Sequence, residues 1–198
     1  MNIVNNEIEI LNELKRIENR INLENNEEVN TIVKKILEDV KNQGDEALKK
    51  YTLKFDGFSP DPLNVSKKEI AKAWEKTTKP LQEALKNAKH RIEKFHEKEI
   101  PKSFSIKGIY GEDVQRKWLP VQKAGLYVPG GRASYPSTVL MNAIPAKVAG
   151  VKEIIMVSPA NSEGEINKTV LAAAHICDIE NIFKVGGAQA IAALAFGT

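Results

Sequence analysis

An α/β fold with a parallel βαβαβ sheet is predicted for the second half of this chain, behind a helical first half and a β-hairpin. Three observations carry that prediction. Short apolar runs at 125–128, 153–157 and 182–185 read as buried strands, with helical patterns between them. Diglycines, Gly130-Gly131 and Gly186-Gly187, stand just after the first and third runs. In the first hundred residues the apolar period is helical instead. A strand–helix–strand unit of this length is a βαβ crossover, and its hand should be right.

The elements follow in order. Ile10, Leu14, Ile17 and Ile21 fall at heptad-like spacing, so residues 1–24 read as an amphipathic helical arm. Its stripe either needs another surface, such as a second subunit, or belongs to a frayed terminus. Residues 25–123 form a helical segment plus hairpin. Val29, Ile32, Val33, Ile36, Leu37 and Val40 line one helix face. Gly44 ends that helix and Asp45 caps the next, which carries Ala47, Leu48 and Tyr51 until Phe55-Asp56-Gly57 breaks it. Ser66 and Glu69 make a capping box ahead of Ile70, Ala73 and Trp74. Pro80 suits the first position of a helix bearing Leu81, Ala84, Leu85, Ala88, Ile92 and Phe95, stopped before Pro101. From Ser103 the period falls to two. Phe104 and Ile106, then Val114, Arg116 and Trp118, flank the turn residues Gly111-Glu112-Asp113, which is a hairpin.

Residues 124–198 hold the βαβαβ unit. Pro129-Gly130-Gly131 stops the first strand, and Ser137 opens a helix with Val139, Leu140, Ala143, Ile144 and Val148 on one face and Gly150 at its end. A helix over 165–177 and the start of another over 188–196 flank the third strand.

Composition narrows the function. With 198 residues and 42% hydrophobic content the chain can build one large core or two small ones. A net charge of +3, with the basic residues dispersed, argues against nucleic acid. Cys177 is the single cysteine, which rules out an internal disulfide and a multi-cysteine zinc site and suits a reducing cytoplasm. Glu7 and Glu9 interrupt any signal peptide, and no apolar run approaches the ~20 residues that span a bilayer, so a cytoplasmic location is expected.

Chemistry-bearing residues are sparse. His90 and His96 point from different helix faces, His175 lies opposite the Ile166, Val170 and Cys177 stripe and should be solvated, and no HExxH or CxxC occurs. Cys177 reads as a packed thiol. Ser134, Ser137 and Thr138 either cap a helix or touch a ligand, with no GxSxG elbow present. Asp56 and Asp113 read as turn residues. Open α/β sheets bind ligands beyond the carboxyl ends of their strands, where both diglycines stand, though neither is GxGxxG. Tyr127 sits at such a strand end, as core aromatic or as ligand contact. Gln189, on the first turn of the last helix, could bond a ligand or cap its own helix.

Two long motifs then bring a family into view. Gly125-Leu126-Tyr127-Val128-Pro129-Gly130-Gly131 with Tyr135-Pro136-Ser137-Thr138-Val139-Leu140-Met141-Asn142, and Val185-Gly186-Gly187-Ala188-Gln189-Ala190-Ile191-Ala192-Ala193-Leu194-Ala195-Phe196-Gly197-Thr198, resemble histidinol dehydrogenases. Gln43-Gly44-Asp45-Glu46-Ala47-Leu48 and Lys54-Phe55-Asp56-Gly57 extend the resemblance toward the N-terminus. It implies an incomplete Rossmann-like, aldehyde-dehydrogenase-like domain and a cytoplasmic homodimer. It also implies oxidation of L-histidinol to L-histidine through the aldehyde, with NAD and a bound zinc ion. By motif, Tyr127 and Gln189 match family residues that contact NAD. The remaining NAD contact, the zinc ligands, the substrate contacts and a catalytic glutamate–histidine pair are expected beyond Thr198, so no catalytic or metal residue is assigned here. On this reading the chain is an N-terminal fragment, ending in mid-helix and inactive alone. The competing class is a non-catalytic module that binds a nucleotide or a partner chain; a downstream glutamate–histidine pair and zinc ligands would decide for the enzyme.

Overall fold

A computed structural model describes residues 6–21, 27–59, 61–130 and 134–198. The first half is helical: α1 (Glu7–Ile21), α2 (Glu27–Gln43), α3 (Asp45–Asp56), α4 (Lys67–Glu75) and α5 (Lys79–His96). The hairpin β1 (Phe104–Lys107) and β2 (Asp113–Arg116) follows. Then come β3 (Lys123–Tyr127), α6 (Pro136–Val148), β4 (Glu153–Ser158), α7 (Lys168–Ile176), β5 (Asn181–Lys184) and α8 (Gly187–Phe196). This is the predicted α/β class, with the hairpin and the parallel sheet in their predicted places.

Local chemistry explains the helix ends, and several differ from the sequence reading, among them the start of α5, where Lys79 comes first and Pro80 second. The capping box stands as read: Ser66 Oγ accepts from Glu69 N at 3.2 Å and Glu69 Oε2 accepts from Ser66 N at 2.9 Å. Asp45, however, does not cap α3; Gly44 does, at φ 56°, and Asp45 is already helical. A left-handed glycine turns the chain there, and the acidic first turn then complements the helix dipole. At the start of α6, Pro136 rather than Ser137 is the first residue, its fixed φ being preorganised for a helix. α7 starts at Lys168, later than Glu165, because Asn161 Oδ1 accepts from the amides of Glu163 and Glu165 and holds a polar loop. Asn167 then caps the helix by accepting from Thr169 N at 2.9 Å. Finally, α8 does not stop in mid-helix: Gly197 closes it at φ 77°.

The three parallel strands lie in the order β3-β4-β5. Register puts Leu126 beside Met156 and Met156 beside Ile182, and the next row is Tyr127, Val157 and Phe183. Because side chains alternate along a strand, the rows face opposite sides. Leu126, Met156 and Ile182 share one core with α6, α7, α4 and α5, through Leu140, Val170, Ile70 and Leu85. Val157, with Tyr127 and Phe183 beside it, shares a second core with α2, α3 and α8, through Val40, Leu48 and Ala190. Strands covered on both faces read as unbroken apolar runs, which is why these three were legible. Beyond β5 the segment around Asn64 covers the sheet edge: Val65 N donates to Ile182 O and Lys184 N to Leu63 O, both at 2.8 Å.

Two apolar features lie outside both cores. The α1 stripe is bare, with Ile10, Leu14 and Ile17 each 44–56% exposed; the Ile21 side chain and Gly131 fall outside the described residues. In the hairpin Phe104 pairs with Arg116 and Ile106 with Val114, yet every strand residue is exposed.

Tyr51 ties α3 to α2, its hydroxyl donating to Asp39 Oδ2 at 2.6 Å. That bond, with burial second, pushes the phenol from its ordinary 10.0 up to about 12, and it holds the Asp39 carboxyl low. A proton held more tightly in the folded state stabilises it fully below pH 10, and the contribution disappears as pH climbs toward 12. Tyr51→Phe should therefore flatten the alkaline limb of a urea-midpoint-against-pH curve relative to wild type. Identical slopes in the two proteins would show that the bond does not persist in solution.

Candidate functional site

Three loops leave the carboxyl edge of the sheet: Pro129-Gly130 after β3, Pro159 after β4, and Gly186-Gly187 after β5. They touch. A Cβ on Gly130 would lie 2.6 Å from Pro159 Cγ, and one on Gly186 would lie 2.6 Å from Pro159 Cβ. Proline cannot swing aside, so both positions require glycine for close backbone packing.

Tyr127 ends β3 half-buried in the second core, and its hydroxyl oxygen accepts from Gly187 N at 3.1 Å. The phenolic proton stays available for another acceptor. Gln189 sits one turn into α8, only 1% exposed, and its Oε1 has no hydrogen-bond partner. It does not cap α8, whose N-cap is Gly186. The carboxamide folds back against Gly187, since a Cβ there would stand 2.6 Å from Gln189 Oε1. The structure thus gathers the two sequence-predicted residues around one glycine. Of the paired readings for Tyr127, the packed ring is what the structure shows, with its hydroxyl bonded to the Gly187 backbone.

On the α6/α7 side of the same edge lies a cleft of about 740 Å³, lined by Pro129, Gly130, Ser134, Ser158, Asn161 and Thr169 among others. Tyr127 and Gln189 do not line it; they stand on the α8 side. Ser134 borders the cleft, Ser137 is exposed, and Thr138 turns its carbonyl to Asn142 Nδ2 at 2.9 Å. Sequence reasoning passed over Ser158-Pro159-Ala160-Asn161, though the strand-end rule that selected the diglycines applies equally to the end of β4.

The histidines lie elsewhere. His175, near the end of α7, is half-buried rather than fully solvated and stacks on Trp74 with ring centroids 5.7 Å apart, because α4 packs across α7. His90 shares a shallow cleft with Trp74 and His175, and His96, paired with Glu99, lies beside Pro145 and Val148 at the end of α6. All three therefore mark the amino edge of the sheet. Cys177 is fully buried, as expected, and burial pushes its thiol up to about 11. Asp56 closes α3 with a buried, unpartnered Oδ2, and desolvation raises its carboxyl. Asp113 starts β2 rather than sitting in the turn, and bonds from Ser105 and then Gln115 lower it. Among the described residues no three of His, Cys, Asp and Glu are grouped to hold a metal ion, and no helix is long and apolar enough to cross a membrane.

A family profile described as histidinol dehydrogenase matches residues 19–198. The histidinol dehydrogenase of Prochlorococcus marinus strain MIT 9312 is 62% identical over 198 residues, which is 100% of this chain and 45% of that protein. That of Agrobacterium fabrum is 49% identical over 174 residues, 87% of this chain and 40% of the relative. The crystal structure of histidinol dehydrogenase from Elizabethkingia anophelis aligns with a TM-score of 0.82 at 40% identity, covering 86% of this chain and 39% of that one. The chain thus spans less than half the length of these relatives. With sequence and fold matching over most of its length, the chain belongs to the histidinol dehydrogenase family.

Proposed function

We propose that this chain supplies the cofactor side of an NAD-dependent oxidation of L-histidinol, through the aldehyde, to L-histidine. One observation carries the reading: the Gln189 carboxamide, 1% exposed with an unpaired oxygen, and the Tyr127 hydroxyl both meet at Gly187. An unsatisfied buried acceptor costs about 1–3 kcal/mol, so a donor that completes it gains correspondingly. The hydroxyls and amide of a dinucleotide are such donors, and the free phenolic proton of Tyr127 offers the reciprocal bond. These two residues fit NAD. Once bound, NAD would accept hydride from the substrate. Gln189 and Tyr127 orient it by neutral hydrogen bonds and carry no proton of the reaction, and the packed loops around Pro159 hold that edge rigid. Among the described residues no donor set fits zinc; the metal, the acid–base pair and the substrate contacts belong, in this proposal, to the rest of the full-length protein. A cytoplasmic homodimer belongs to the same proposal, with the bare α1 stripe as the surface a second subunit could cover.

The test uses the full-length protein. Gln189→Ala and Tyr127→Phe should each weaken NAD+ by about two- to twelvefold, the worth of one neutral hydrogen bond. The KM for histidinol and the pH–rate profile should not move. Unchanged NAD+ affinity with a shifted pH profile or histidinol KM would remove both residues from the cofactor side.

A further inference from the structure

We propose that Gly187 is a positioning residue for the cofactor: it seats the Gln189 carboxamide and orients the Tyr127 hydroxyl at the same time. This rests on the assignment of Tyr127 and Gln189 to NAD made above.

Gly187 has φ +66°, a conformation that asparagine also tolerates. Backbone conformation alone therefore does not demand glycine. The space does. At Gly44, Gly57 and Gly197, also left-handed, an added Cβ would meet nothing within 4 Å. At Gly187 it would meet Gln189 Oε1 at 2.6 Å and both Cδ and Nε2 at 3.2 Å, the whole amide plane. A glutamine at the surface would swing away; Gln189 is 1% exposed, so its amide has no open solvent to swing into. The absent side chain of Gly187 is thus the seat of the amide.

The second role runs through the backbone. Gly187 N donates to Tyr127 Oη at 3.1 Å, across β4 and 60 residues of chain. With one lone pair engaged, the hydroxyl presents its proton away from Gly187, toward an incoming acceptor. One glycine therefore couples a contact from β3 to a contact from α8. A ligand held by both meets a preorganised pair rather than two independent side chains.

A double-mutant cycle in the full-length protein tests this, read by the calorimetric Kd for NAD+ and by the thermal midpoint. Gly187→Ala should raise Kd by about the same two- to twelvefold as Gln189→Ala. In the Gln189→Ala background the cavity is vacant, so adding Gly187→Ala should raise Kd no further. Coupled sites are non-additive in this way. Backbone strain, by contrast, should lower the thermal midpoint in both backgrounds. Gly187→Asn keeps the left-handed conformation while carrying a Cβ. It should reproduce the loss of NAD+ affinity with less destabilisation, and it decides the matter if Gly187→Ala does not fold. Multiplying Kd effects, or wild-type affinity in Gly187→Asn, would overturn the positioning role and leave the cofactor assignment standing. An unchanged Kd in Gln189→Ala would overturn the assignment, and the positioning role with it.

Discussion

Met156→Ala should destabilise the fold by about 2–5 kcal/mol, the usual cost of emptying a packed core position. Met156 is fully buried at the centre of the central strand, flanked in register by Leu126 and Ile182 and covered by α6 and α7. A neighbourhood built from strands and helices on both sides cannot collapse into the cavity, so the cost should fall in the upper part of that range. Set against a typical total of about 5–15 kcal/mol, such a loss is visible as a large drop in the denaturation midpoint. Met156→Leu, which nearly conserves volume, should cost under about 1.5 kcal/mol. Ile106→Ala on the hairpin should stay within about 0.5 kcal/mol, because Ile106 is 61% exposed. Equal losses at Met156 and Ile106 in urea titrations would mean that the hairpin is covered in solution and that its exposure does not describe the protein.

That contrast shows what the sequence could and could not reveal. Ile106 and Met156 each sit in an apolar pattern that reads as a strand, and both are strands. Burial is decided by what lies over the strand, and no periodicity encodes it: β4 is covered on both faces, β1 on neither. Helix starts divide in the same way. Ser66 and Glu69 make their bonds within one turn, so the motif suffices. Asp45, Ser137 and Glu165 are polar residues near a helix start, where a glycine φ, a proline φ and the Asn161 loop each move the boundary. The partial burial of His175 has no local signal, because Trp74, which stacks on it, comes from a helix far upstream. At the site, the strand ends and diglycines were legible from chain order alone. The packing of Gly130 and Gly186 on Pro159, and the bond from Gly187 to Tyr127, join loops of different strands and have no local signature.

The 198-residue polypeptide, supplied with histidinol, NAD+ and zinc, should form no NADH above background. The reason is the placement of its proton-transferring groups. Oxidising an alcohol to an acid releases protons, and a positioned general base supplies about 10²–10⁴ of the rate. At the carboxyl edge, where Tyr127 and Gln189 gather, the described residues include no histidine; His90, His96 and His175 all lie at the opposite edge. Glu165 and Lys168 lie on the rim of the neighbouring cleft and are exposed to solvent. Cys177 is sealed in the core with its thiol pushed up to about 11, so it supplies neither base nor nucleophile near neutral pH. An assay of the purified polypeptide beside the full-length protein separates the possibilities. Activity confined to the full-length protein agrees with the placement of these groups. NADH formation by the polypeptide alone, lost in Glu165→Gln, would relocate the base to the α7 rim and overturn the assignment of proton transfer to residues outside this chain.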